Sequence, residues 1–310
     1  MAFSQNSRSK VSYIAETVFG TTPTGTSPVG DFQEINKTSF GMELTKERVQ
    51  GNDLQSDRMT RVDRHGNKST SGDLVVDLRA DEYDSFLEAA MLNSFSTTTL
   101  KTGVAPKFFT FEEYAVDIDQ ARIFTGTTVT SASFSIAPNQ MVTSTFGLVG
   151  KTMTAGATES PQLAAGLGTN APFDSFSGAM AIGNVGASAG VNNISSLEFS
   201  INNGFNPDFV IGSDSAPNLN YGMSVVEGSF TAYYEDLAFL NRFLNEVETE
   251  ISVTVDDPTA ANAYTFLFPR VKINGAAIPV GGEGSRLITM PFVALFDTTE
   301  ASNLVITRPA

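Results

Sequence analysis

The apolar stripe Tyr83, Phe86, Leu87, Ala90 returns 157 positions later as Leu240, Phe243, Leu244, Val247. Spacing i, i+3, i+4, i+7 sets four side chains on one face, so each copy predicts an amphipathic helix with one side to bury. Asp81 and Asp236 stand just ahead of the stripes, where a short carboxylate can cap the open N–H groups of a first turn. The surroundings repeat as well. Phe40, Met42 and Leu44 alternate as a strand does, and Leu197, Phe199 and Ile201 match them at the same offset. Each strand leads into a long polar excursion, a glycine (Gly72 or Gly228) and a second strand over 74–78 or 230–234. After each helix come two further β-like runs, 130–136 and 142–148 in the first half, 264–273 and 287–295 in the second. Phe146 and Phe292 take similar places in the last run. A chain built from one part used twice is constrained to two related folding units.

Only 17% of the 310 residues are charged, and Ser, Thr, Gly and Phe are abundant, a bias that suits strands and turns. The expected fold is mainly β: two tandem β-sandwich or half-barrel domains, each flanked by one α-helix. Residues 1–30 read as an N-terminal arm that docks its apolar patch on a neighbour, 31–155 as the first repeat, 156–172 as a Gly/Ala-rich linker and 173–310 as the second repeat. With no cysteine, neither a disulfide nor a thiolate metal site can form. The polar first ten residues lack the apolar core of a secretory signal, and no stretch has the length of a membrane span, so assembly in a cytoplasm without a membrane partner is expected.

The net charge of −15 is uneven: residues 1–155 hold 14 basic against 18 acidic side chains, residues 156–310 hold 5 against 16. Tight nucleic-acid binding needs phosphate neutralisation by Lys and Arg, so an acidic surface excludes it while permitting close passage of a polyanion. Within this acidic chain, residues 46–68 carry six basic side chains against four acidic ones. Arg48, Arg58, Arg61 and Arg64 make this excursion a candidate contact loop reaching an acidic surface on another subunit. Its counterpart, 202–226, has no Lys or Arg and bears Phe205, Phe209, Val210, Ile211 and Tyr221.

Catalytic and cofactor chemistry find no foothold. The one histidine, His65, lies in the charged loop. The pairs Glu112–Glu113, Asp117 with Asp119, and Asp256–Asp257 come without pocket-forming sequence. Gly150-Lys151-Thr152 lacks the upstream glycine of a phosphate-binding loop, and Gly281–Gly284 reads as a hairpin turn. No enzyme, metal or cofactor is expected.

Several segments resemble the tail tube proteins of long-tailed, non-contractile bacteriophages: the opening run from Val11 to Pro23 (VSYIAETVFGTTP), Ser56-Asp57-Arg58, the run from Ala171 to Gly178 (APFDSFSG), the run from Gly228 to Asp236 (GSFTAYYED), Pro269-Arg270-Val271-Lys272, and the run from Met290 to Asp297 (MPFVALFD). The resemblance implies a β-sandwich flanked by a helix, rings whose inner strands form a barrel around a channel, and stacking of rings into a tube that conducts the genome. It implies inter-ring contacts for the long excursions, and as partners the chain itself, tape measure, terminator and tip proteins, and DNA in passage. A duplicated subunit would need three chains where single-domain relatives use six. On that reading the polar strand faces bearing Glu43, Asp73, Asp77 and Glu198 line the channel. Other readings are a tail terminator, a decoration protein, an injection-needle subunit, or a carbohydrate-binding adhesin; the last is disfavoured by the lack of tryptophan.

Overall fold

A computed structural model describes residues 3–23, 32–53, 56–57, 59–156, 163–257 and 262–309. Its centre is one long antiparallel sheet that runs through both repeats. The first repeat contributes β4 (Glu43–Gln50), β5 (Asp63–Asp77), β9 (Thr143–Gly150) and β8 (Gln120–Ile136), and the second contributes β14 (Ile194–Asn202), β17 (Val225–Tyr233), β20 (Leu287–Ala294) and β19 (Ala263–Ile273). Neighbours pair in the order β4-β5-β9-β8-β14-β17-β20-β19. The short β3 (Ser39–Phe40) prefixes β4 on the same partner. The joint between repeats is thus a six-residue ladder, from Leu197 opposite Ile136 to Asn202 opposite Ser131.

Strands β8 and β19 each continue into a second sheet. In the first repeat β8 also pairs with β7 (Phe108–Ala115) and β10 (Thr152–Gly156); beyond β7 follow β1 (Ser9–Glu16), β2 (Phe32–Glu34) and β11 (Leu163–Ala165). In the second repeat β19 pairs with β18 (Thr249–Asp256) and β21 (Val305–Thr307). Strands β12 (Ala179–Asn184) and β13 (Ala187–Gly190) extend one side, and β6 (Thr99–Lys101) from the first repeat extends the other. Residues 9–16 of the expected arm therefore form a strand of the chain's own sheet. Their apolar run 11–14 is buried there, Tyr13 against Phe86 at 4.7 Å.

Alternation decides which face each strand buries. Leu74, Val76, Phe146, Phe134, Phe199, Phe230 and Phe292 point into one core cluster that spans both repeats. Phe173, at the start of the second repeat, ties the two together: its N–H donates to the Leu78 carbonyl of the first repeat, and its ring meets Tyr264 of the second at 5.4 Å. Gly72 and Gly228 serve one purpose. A Cβ on Gly72 would collide with the Gly41 carbonyl, and one on Gly228 would lie 2.6 Å from the Glu198 carbonyl and 2.5 Å from Phe292. Close strand approach at matching points of both repeats admits no side chain.

The duplication is confirmed in element order, and two alignments need correction. Helices α1 (Asp84–Ala90) and α2 (Ala238–Leu244) superpose 154 residues apart, three fewer than the stripes suggest. Both close through a positive-φ residue, Leu92 at 50° and Glu246 at 51°, followed by an N–H bonded back to Glu88 or Arg242. Apolar residues recurring every three or four positions match equally well when slid by three, which is how the stripe misleads. Likewise Phe292 corresponds to Leu148, since these residues face Gly228 and Gly72. Asp236 accepts from the Ala238 N–H at 2.7 Å in a turn one residue ahead of the N-cap Leu237, whereas Asp81 sits at φ 65° and offers its N–H to Tyr264.

Candidate channel face and subunit edges

The face of the long sheet opposite the core carries hydroxyls and carboxylates. Across the joint lie Ser133, Ser135, Thr143, Thr145, Glu198, Ser200, Glu227 and Ser229, around a depression of about 520 Å³. Glu43, Asp73 and Glu198 are exposed on this face, and Asp77 is half-buried beside Thr143. All four acids singled out from the sequence thus share one surface. Glu227 completes them; it stands opposite Ser200 and Val293, and its period-two placement two residues ahead of Ser229 was legible. Short Ser and Thr side chains give a surface that is polar, low in bulk and weakly charged.

The long sheet ends in two edges. Among the described residues β3 and β4 pair with β5 alone. At the far end, 272–273 pair with β20, and the chain beyond follows it, Asn274 and Ala277 donating to the Pro291 and Thr289 carbonyls; no strand takes their other side among the described residues. Unpaired N–H and C=O rows of this kind are templates for strand addition.

Strands β4 and β5 form a protruding hairpin. Arg48 is tied to Asp63, Arg61 to Asp57, and Arg64 stands exposed opposite Val49; Arg58 lies outside the described residues. His65 faces Arg48 across the ladder and is exposed. Exposed Val49, Met59 and Val62 give the hairpin an apolar element as well.

The counterpart excursion folds differently. It holds the small hairpin of β15 (Asn206–Asp208) and β16 (Asn218–Asn220) and lies down on the first repeat. Asn203 donates its side-chain amide to the Ala90 carbonyl at 2.7 Å, and Phe205 and Leu219 pack with Leu92 and Val149, flanked by Phe19 and Phe108. Lys68 meets Asp214 at 2.9 Å, and this ion pair holds the Asp214 carboxyl below the usual range.

Most members of the carboxylate pairs weighed as catalytic or metal sites are engaged locally, whereas Asp256 keeps a buried oxygen without a hydrogen-bond partner among the described residues. Glu113 is paired with Arg122, Asp117 accepts from Gln5 and Ser4, Asp119 from Tyr114, and Asp257 from Asn262.

No curated protein matches the chain. The family described as phage tail tube protein matches residues 6–294, from just ahead of β1 to the end of β20. The match takes in both repeats, the continuous sheet and its two edges, and the chain belongs to the phage tail tube protein family, structural proteins of the virion tail.

Proposed function

We propose that three copies of this chain close a ring in which the long sheets join edge to edge into one barrel. The observation that carries this reading is the continuous ladder across the repeats, left with an open edge at each end. The β8–β14 joint is the pattern for the missing one: β3 and β4 of one copy take the place of β14 beside the 272–278 edge of the next. Closure removes both edges and gives threefold symmetry with approximate sixfold repetition.

In such a ring the hydroxyl and carboxylate face lines the bore. Glu43, Asp73, Asp77, Glu198 and Glu227 repel phosphates, and the Ser and Thr carpet offers few fixed cations, so DNA passes without adhering. The β4–β5 hairpins, with Arg61 and Arg64 beyond Arg48, reach the next ring and set the stacking. The chain assembles in the host cytoplasm and meets tape measure, terminator and tip proteins along and at the ends of the tube. Electron microscopy of the concentrated purified protein tests the reading. Hollow rings or tubes with threefold symmetry are the expected images, and particles that stay monomeric at every concentration refute it.

A further inference from the structure

The two repeats dock their excursions by the same joint, once inside the chain and once between chains, and we infer that the second copy of the joint is ionic where the first is apolar. This rests on the ring reading above. Inside the chain, Asn203 and Phe205 leave the end of β14 and settle on the end of α1, with Leu92 and Phe108 in the receiving surface. Each of these has a counterpart. Residues 201 and 44 pair with 226 and 70 in equivalent ladders, and counting on along the chain sets Lys46 and Arg48 against Asn203 and Phe205, although β4 stays paired to Gln50 where β14 leaves its ladder after Asn202. The shared helix closure equates Leu92 with Glu246 and Ala90 with Leu244. A shared bulge, Phe109 to Phe111 in β7 and Thr249 to Ile251 in β18, equates Phe108 with Glu248.

Phe205, Leu92 and Phe108 have charged counterparts, whereas Val149 of the same cluster corresponds to Val293 and stays apolar. Phe205 on Leu92 and Phe108 becomes Arg48 on Glu246 and Glu248, and the Asn203 amide on the Ala90 carbonyl becomes the Lys46 ammonium on that of Leu244. The receiving surface is uncovered in the single chain. Helix α2 buries no residue, against Phe86, Leu87, Ala89 and Ala90 in α1, and Leu244 and the nearby Phe296 are 63% and 59% exposed. Within one chain Glu246 is held by Lys272 at 2.9 Å, Glu248 by Arg270, and Arg48 by Asp63, all at exposed positions. Exposed pairs are weak and exchange readily, so docking merges them into one alternating network. The chemistry follows from when each joint forms. The internal joint closes on folding, so the contact of Phe205 with Leu92 can be greasy beside the Lys68–Asp214 ion pair, whereas the external one must stay in water until a second copy arrives.

The chain has no cysteine, which makes the test clean. In Arg48→Cys/Glu246→Cys, oxidation of assembled protein should give covalent dimers and closed trimers on a non-reducing gel; in Phe205→Cys/Leu92→Cys it should leave single chains. Arg48→Glu should slow assembly at least tenfold by light scattering, and adding Glu246→Arg should recover most of the rate. Rings visible in the micrographs together with single chains on the gel and an unchanged Arg48→Glu rate would overturn the ionic joint alone. Wild-type protein that forms no rings would overturn the ring reading beneath it.

Discussion

The ring of Phe134, in the first repeat's strand at the joint, stacks on that of Phe199, in the second repeat's strand at the joint, with centroids 4.7 Å apart and planes 18° from parallel. Phe266 closes the group at 5.2 Å from each. The repeats are therefore packed as one body around a shared aromatic cluster. Phe134→Ala should cost about 3–5 kcal/mol, and urea unfolding followed by circular dichroism should stay a single transition. Two separated transitions in the wild type would mean that the repeats fold independently.

Gly72 and Gly228 carry the close strand approach in each repeat. Alanine at either position drives a methyl group into a neighbouring backbone carbonyl. Each substitution should destabilise the fold by about 1–3 kcal/mol, read from the shift of the urea midpoint. Equal tolerance of both would remove steric closeness as the reason for these glycines.

Asp256 titrates against the fold. Burial, then the charges of Asp174 and Asp257, push its carboxyl above the usual aspartate range. A raised folded value means that the native state holds the proton longer than the unfolded chain. Stability linked to this group is complete below the unfolded value and is lost as pH rises through the folded one. Asp256→Asn should raise the urea midpoint near pH 7 and flatten its pH dependence over that interval, while leaving the midpoint near pH 3 unchanged. An equal gain at both pH values would assign the effect to packing.

The proposed acidic bore makes a sharp contrast testable. Asp73→Lys/Glu198→Lys/Glu227→Lys alters only exposed side chains on the open face of the sheet. Tubes of this variant should retain DNA at low salt and release it steeply as salt rises, whereas wild-type tubes should not retain it. The readout is co-sedimentation of labelled DNA, and retention by both tubes would move these acids away from the channel.

Reversal of charge at Arg61 and Arg64 should leave rings intact and reduce stacking at least tenfold, scored as the ratio of tubes to single rings in micrographs. Unaltered tube length would return the hairpin tip to a solvated surface.

Most of the scaffold was legible because its signals are local. Alternation in 197–201 and 230–234, Gly72 and Gly228, and the two-strand runs after each helix stand where the strands form. What could not be read was set by partners distant in sequence. Nothing near Tyr13 announces that its strand lies beside Phe111, and nothing near Thr99 announces that it pairs with Thr307 in the other repeat. The acids of the open face could be named from period two. The surface they share with Ser133, Thr145 and Ser200 emerges only once β8 is laid against β14. The helix offset failed for a different reason: an apolar helix pattern carries no absolute register, and only the φ of Leu92 and Glu246 supplies one.

Because β8 and β19 each belong to two sheets, the long sheet and the layer behind it share these two pieces of backbone, and in the proposed ring they join the wall of the bore to the layer outside it. Force applied to the lumen by a moving cargo need not cross a side-chain interface to reach the exterior. It travels along covalent bonds and is shed in shear across the ladders of β7, β10, β18 and β21. At β8 and β19 the two layers are stitched by backbone, so peeling, the weakest failure of a laminate, is halted at those two strands in each chain.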